Sequence, residues 1–465
     1  MVRGGALTLG AIAMLGGATG AQADDLTGLF DAAQSAASLP SWSEFFQGIH
    51  QNWSDLPVRF TVTESLGYNS NVLAIPENIL LGQASKPLGA FEAISSYGLA
   101  TSTTWGIHQI SFDASAGTTK YINHANLDTS QYSVHASDNW AVDRCAGSLA
   151  ASAERSSSVL GQFVGYGGIN NTTAISVNQS TRCSITGNYS ANFNAGYSES
   201  MNSNGSTPLV NSVVPTNLNQ LNNSQAIFVA AGISYSLTQT DSIQGLVSIN
   251  GTHYPGRQNL TVTQVGVINP SALGLTDNST QDSFNVTYTR QLQPDLSVVA
   301  SLGVVGVTDA PFGVKLPTKI VPQYSLSLNW SPTAKLSFTA AASRSAGAST
   351  SVIANTQISE TVNLGMTYQV TPKIGLSVGA STSYATSANN VAANSALAQA
   401  YVNYLTNQDT YSAHAGLSYT VTPFIGANLT AQYSRTLQPG ATQLSGIGNR
   451  TTQSSIIFSV NYNPH

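Results

Sequence analysis

From Val58 to Tyr462 apolar and polar residues alternate with a period of two, the spacing of a strand with one apolar and one polar face. The clearest stretch is Ser359 to Thr386. There Val362, Leu364, Met366, Tyr368 and Val370 alternate with Thr361, Asn363, Gly365, Thr367 and Gln369. After Thr371-Pro372-Lys373 the alternation resumes, with Ile374, Leu376, Val378, Ala380 and Tyr384 on one face. Proline presets φ and removes a ladder donor, so Thr-Pro-Lys reads as the tight end of a hairpin.

Reading the whole chain this way predicts about eighteen strands of bilayer-spanning length. In order, the first holds Val58, Phe60 and Val62, and the second spans Ser95–Thr104. The third is marked by Ile110 to Ala116, the fourth by Tyr132 to Ala136 and the fifth by Leu149 to Ala153. The sixth runs about Thr172–Gln179 and the seventh Ile185–Tyr197. Then follow Ile227–Tyr235, Ile243–Ile249, Phe284–Tyr288, Leu296–Val304, Tyr324–Trp330 and Leu336–Ala342. The Ser359–Thr386 pair, Tyr411–Val421, Ile425–Tyr433 and Ile456–Tyr462 complete the set.

Short and long connections alternate. The short ones are Thr238–Asp241, Gln293–Asp295, Ser331–Thr333, Thr371–Lys373 and Thr422–Pro423. The long ones are Asn69–Ala93, Met201–Ser224, Pro255–Thr280, Ser387–Asn407 and Leu437–Asn449. That asymmetry is expected of an outer-membrane barrel with short periplasmic turns and longer outside loops, and an even strand count puts both termini in the periplasm. Trp105, Trp140, Tyr235, Tyr288, Trp330, Tyr368, Tyr419 and Tyr462 lie near short turns or the C-terminus. They are the expected periplasmic aromatic girdle, and Tyr121, Tyr254, Tyr384 and Tyr433 the outer one. By the same strand order Cys145 and Cys183 fall at the periplasmic ends of neighbouring antiparallel strands, and a disulfide between them is expected.

Composition narrows the choice between a soluble sandwich and a membrane barrel. Only 8% of the 465 residues are charged, against about 25% in soluble domains. The chain is 42% hydrophobic with 19 Tyr, too apolar for disorder, and a net charge of −5 without charge blocks speaks against nucleic-acid binding. Residues 1–23 read as a secretory signal peptide, with Arg3, an apolar run from Ala6 to Leu15 and Ala21-Gln22-Ala23 before Asp24. Residues 24–57 form a separate segment, expected to be a short periplasmic helical arm. In it Trp42, Phe45, Phe46, Ile49 and Trp53 make an apolar face after a Ser41-x-x-Glu44 capping box. Residues 58–465 are the expected barrel, an all-β transmembrane antiparallel sheet.

Gly67-Tyr68-Asn69-Ser70-Asn71-Val72 ends the first strand, and Tyr-x-Val-Thr-Pro turns recur at Tyr368–Pro372 and Tyr419–Pro423. These segments resemble the outer-membrane β-barrel porins often encoded beside exopolysaccharide export genes. The resemblance runs from about Val58 to the end. It implies fold and outer-membrane location, with outer-membrane lipid, the barrel-insertion machinery and a periplasmic polysaccharide-export partner as associates. Asn69 stands where that family commonly has an acidic residue, and the ending Tyr462-Asn-Pro-His465 departs from a bare terminal aromatic. Recognition by insertion machinery then rests on Ile456, Phe458, Val460 and Tyr462.

The sequence shows no metal constellation and no phosphate-cradling glycine loop, and no cofactor is expected. Ser133/His135 and Ser412/His414 are the only Ser–His strand neighbours, and neither has an acid or oxyanion feature beside it, so an enzyme is not expected. The polar face is mostly Ser, Thr, Asn and Gly. Its expected charges are few and of both signs: Arg59 and Lys373 against Asp113, Glu154 and Glu199. Such a lumen suits neutral hydrogen-bonding solutes such as saccharides, and equally passive water filling; passage of polysaccharide within an exopolysaccharide export system is what the family resemblance implies. A general diffusion porin and a plugged structural or surface-binding barrel are the alternatives.

Overall fold

The computed structural model describes residues 58–72, 88–122, 124, 127–159, 169–204, 223–255, 278–310, 317–348, 356–387, 407–437 and 450–463. The expected signal peptide and helical arm lie outside these residues. The strands are β1 (Val58–Asn69), β2 (Ala90–Trp105), β3 (His108–Tyr121), β4 (Thr129–Val142), β5 (Cys145–Val159) and β6 (Ile169–Ser184). Next come β7 (Tyr189–Asn204), β8 (Ser224–Ser236), β9 (Asp241–His253), β10 (Asn278–Gln293), β11 (Leu296–Ala310) and β12 (Lys319–Thr333). The last six are β13 (Leu336–Ala348), β14 (Thr356–Thr371), β15 (Ile374–Ser387), β16 (Gln408–Thr422), β17 (Ile425–Leu437) and β18 (Arg450–Tyr462).

Each strand pairs antiparallel with its neighbours in sequence, and β1 pairs with both β2 and β18, so one 18-stranded sheet closes on itself. Closure leaves no sheet edge, which is what allows strands to cross a bilayer where water cannot satisfy backbone N–H and C=O groups. The alternation sorts the two faces. Leu302 (69% exposed) and Ile320 (73%) stand in the open on the outer face, with Leu66, Ile227, Ile233, Leu364 and Ile456 exposed beside them. Apolar side chains exposed in this number on the outer face of a closed sheet are the lipid-facing band of a membrane barrel.

The connections between β2 and β3, β4 and β5, and onward by hairpins to β16 and β17 are two to four residues long. Two of them use a left-handed residue, Gly106 at φ 62° and Asp143 at φ 49°, which glycine and aspartate tolerate. Two sequence expectations shift here. Ile185 and Gly187 belong to the β6–β7 turn, not to a strand: the N–H groups of Ile185 and Thr186 both donate to the Tyr189 carbonyl. Their alternation matches the strand pattern, but the chain must reverse between Cys183 and Tyr189. The expected Ser331–Thr333 turn falls later, at Ala334 and Lys335, because the register between β12 and β13 shifts between Trp330 and Thr333. Pro332 is thereby kept inside the strand end.

The segment that carried the family resemblance locks the seam at the opposite end. Ser70 N–H donates to the Ser454 carbonyl and Ser454 N–H to Ser70 Oγ, both at 2.8 Å. Asn71, 0% exposed, donates through Nδ2 to the Thr452 carbonyl at 3.2 Å and through N–H to Asn69 Oδ1 at 3.0 Å. Asn69 thus supplies the side-chain acceptor oxygen that an acidic residue would.

Candidate transport lumen

Because pairing preserves side-chain direction, one outward residue sets the direction of its whole row. Arg59 pairs with Ala100, Ala100 with Asp113, Asp113 with His135 and His135 with Ser152, so Arg59, Asp113 and His135 share the inner face. Glu154, opposite Ser133, is inward as well. Glu199 is not. It pairs with Ile175 and Gln225 on the outward face of β7, in line with Tyr197 and Phe193. Its carboxylate accepts from Tyr197 Oη at 3.1 Å and from Gln225 Nε2 at 3.0 Å. The expected place of Glu199 on the polar face is thus corrected, because odd positions of this strand face out. Lys373 sits in the β14–β15 turn, at the rim and not along the wall. Inward charges missed in the sequence are Glu92, Arg182, Asp309 and Lys319, each of which takes its direction from its register partner.

The rest of the inner wall is hydroxyl and amide. Across strands Ser111 meets Ser137 at 2.6 Å, Ser152 meets Ser176 at 2.8 Å and Ser248 meets Ser283 at 2.6 Å. Ser337 meets Thr367 at 2.6 Å and Ser343 meets Thr361 at 2.7 Å. Among the described residues of β13 to β18, no inward position holds Asp, Glu, Lys or Arg. The lumen is therefore lopsided, with its charges on β1–β6 and at the upper ends of β11 and β12, facing a wall of neutral donors and acceptors. Hydrogen-bonding hydroxyls to one another satisfies them while each keeps spare capacity toward water or a solute.

The two Ser–His neighbours do not assemble a nucleophile. Ser133 Oγ is bonded to Ser115 Oγ at 2.7 Å and Ser412 Oγ to Ser381 Oγ at 2.5 Å. His135 Nδ1 instead lies 3.9 Å from Asp113 Oδ2.

All eight girdle aromatics lie on the outer face near the short-turn end, where Tyr235 stacks on Tyr189 at 4.5 Å and Trp330 on Phe338 at 5.4 Å. Of the other girdle, Tyr384 and Tyr433 face outward. Tyr121 turns inward opposite Glu92 and packs against Val72, Ala90 and Leu127, and Tyr254 is buried beyond the end of β9. Sequence spacing placed these two by proximity to a loop, which does not specify a face. Tyr68, Tyr132, Tyr324 and Tyr411 fill out the outward ring. Cys145 and Cys183, the first register pair of β5 and β6, form a disulfide on the outer face.

No curated protein matches the chain. Among solved structures it is similar to the outer membrane protein OpdK from Pseudomonas aeruginosa, with 9% identity and a TM-score of 0.42 over 88% of this chain and 99% of that one. OpdQ of the same organism gives 10% identity and a TM-score of 0.42 over 88% and 99%. The FrpB iron transporter from Neisseria meningitidis gives 8% and 0.42 over 87% and 81%. Residues 320–444, which hold all but the first residue of β12 and run through β17, match the family described as "Putative beta-barrel porin 2".

Proposed function

We propose that this barrel is an outer-membrane channel for neutral, hydrogen-bonding solutes. One observation carries the reading: the inner wall is built from cross-strand hydroxyl pairs and amides, with none of the charged residues on β13–β18 that ion-selective pores array in rings or ladders. Barrels of 16–18 strands are wide enough to leave an aqueous passage when the inward side chains are small. The family match over residues 320–444 supports a porin-type role. Saccharides are the preferred solute class because each offers many hydroxyls to such a wall. Passage of polysaccharide within an export system rests on the resemblance of the Gly67–Val72 and Tyr-x-Val-Thr-Pro segments.

In this reading the short turns and both termini face the periplasm, residues 1–23 direct export, and residues 24–57 form an arm that docks at the periplasmic mouth or on a partner. The test is conductance in planar bilayers, together with liposome swelling in neutral sugars of rising size. Swelling with mono- and oligosaccharides is expected, with weak ion selectivity. Exclusion of a monosaccharide together with negligible conductance would reject the channel in favour of a plugged surface barrel, and strong preference for one ion sign would reject the neutral-solute reading. A sharp cut-off at small sugars would assign a general diffusion porin instead.

A further inference from the structure

The outer face carries a recurring three-strand row. Tyr132 of β4, Arg155 of β5 and Thr173 of β6 are register partners, as are Tyr411 of β16, Arg435 of β17 and Thr452 of β18. Both rows have the same order, Tyr then Arg then Thr, with the Tyr and Arg strands joined by a short turn. A third row begins the same way, Tyr324 then Arg344, but ends in Glu360. In that row the guanidinium is neutralised internally, with Arg344 Nη1 at 3.1 Å from Glu360 Oε1.

Where threonine replaces the glutamate, the positive charge has no such partner. Among the described residues Arg155 and Arg435 make no ion pair; the Nε of each is shielded without a hydrogen-bond acceptor, as is that of Arg344, so what separates the rows is the carboxylate that only Arg344 meets. Asp409 lies near the second row, opposite Leu437, but is not within ion-pair distance of Arg435. Arg450 lies diagonally across from Arg435, about 7–8 Å away by strand geometry, and donates from Nε to Thr452 Oγ1 at 3.2 Å. A second guanidinium therefore borders the β16–β18 row.

Height decides what can reach these rows. Arg155 and Arg435 stand ten residues above the first residues of their strands, Cys145 and Ile425. Ten residues at about 3.3 Å each, on strands tilted by about 40°, climb roughly 25 Å, the thickness of the apolar band. The guanidinium groups thus emerge at headgroup level at the long-connection end. A guanidinium flanked by a hydroxyl offers several donors to one tetrahedral oxyanion, the fork that suits phosphate; the Tyr132 phenol adds to it in the first row, whereas Tyr411 Oη donates to Tyr384 Oη at 3.5 Å.

We propose that the Tyr132–Arg155–Thr173 and Tyr411–Arg435–Thr452 rows bind the phosphate groups of lipid headgroups in the leaflet at the long-connection end. The occupant takes the place that Glu360 fills within the protein in the third row. This does not depend on what the lumen carries.

The experiment is native mass spectrometry of the detergent-solubilised barrel with diphosphoryl lipid A as probe, alongside heat-modifiable gel migration as the fold control. Wild type is expected to retain the lipid, and R155Q/R435Q to lower the bound fraction about fivefold or more, with R344Q changing it little. T173V/T452V, which leaves the charge in place, is expected to weaken retention by a smaller factor and keeps the test decisive if the arginine variant does not fold. Millimolar inorganic phosphate is expected not to displace the lipid. Retention unchanged in both double variants would overturn the proposal. Displacement by free phosphate alone would overturn its assignment to lipid.

Discussion

Ser65 Oγ in β1 donates to Ser459 Oγ in β18 at 3.0 Å, joining hydroxyls 394 residues apart across the seam that closes the barrel. Seven further register pairs, from Val62–Tyr462 to Asn69–Ser455, hold that seam. Removing β18 would expose the backbone of β1 and β17 in lipid, at several kcal/mol per unsatisfied group. A chain ending before Arg450 is therefore expected to give no heat-modifiable folded band. A milder test is Gly67→Val. A Cβ at Gly67 would already lie 3.0 Å from Ile457 Cγ1 and 3.1 Å from the Ile456 carbonyl. Its expected cost is about 1–3 kcal/mol, read as a lowered urea midpoint.

Reducing the Cys145–Cys183 bond is expected to lower the unfolding midpoint. The bridge spans 38 residues, and a loop of that size constrains the unfolded chain by about 4 kcal/mol in the chain-entropy view. Intact mass after alkylation without reductant should show no modified thiol. Two alkylated cysteines would count against the bond.

Trp140 lies over the open backbone of Gly147 on the neighbouring strand, where any Cβ would overlap its ring and approach the Ser180 carbonyl to 2.8 Å. Gly147→Val should displace the indole from the girdle and cost about 1–3 kcal/mol. Tryptophan emission and the fraction folded report the two effects separately. An unchanged spectrum would remove the indole from this position.

The inward and outward acids should behave differently in bilayers. Asp113→Asn together with Glu154→Gln removes two lumen carboxylates and is expected to move the reversal potential toward anions in a salt gradient. Glu199→Gln, on the outer face, is expected to leave it in place. A shift from E199Q equal to that from the D113N/E154Q double variant would reverse the assignment of faces.

Much of this architecture was legible in the chain itself. Period-two alternation is a local property, and it located the strands and most of the hairpin ends, because direction along a strand follows from counting by two. The pairing of Cys145 with Cys183 followed from strand order alone, since each strand's neighbour is the next in sequence. Counting failed where its phase was lost. Glu199, expected in the lumen, continues the outward phase of Tyr197, and Ile185 and Gly187 keep the alternation while the chain is turning. Tertiary structure alone decided the closure of β1 on β18, because no local pattern measures the distance between ends nearly four hundred residues apart. It alone decided which inward charges share one wall, and that three tyrosines stand opposite three arginines around the rim. Those relations depend on the register between strands, and register is set by the ladder of backbone hydrogen bonds, which the side-chain sequence of a single strand does not contain.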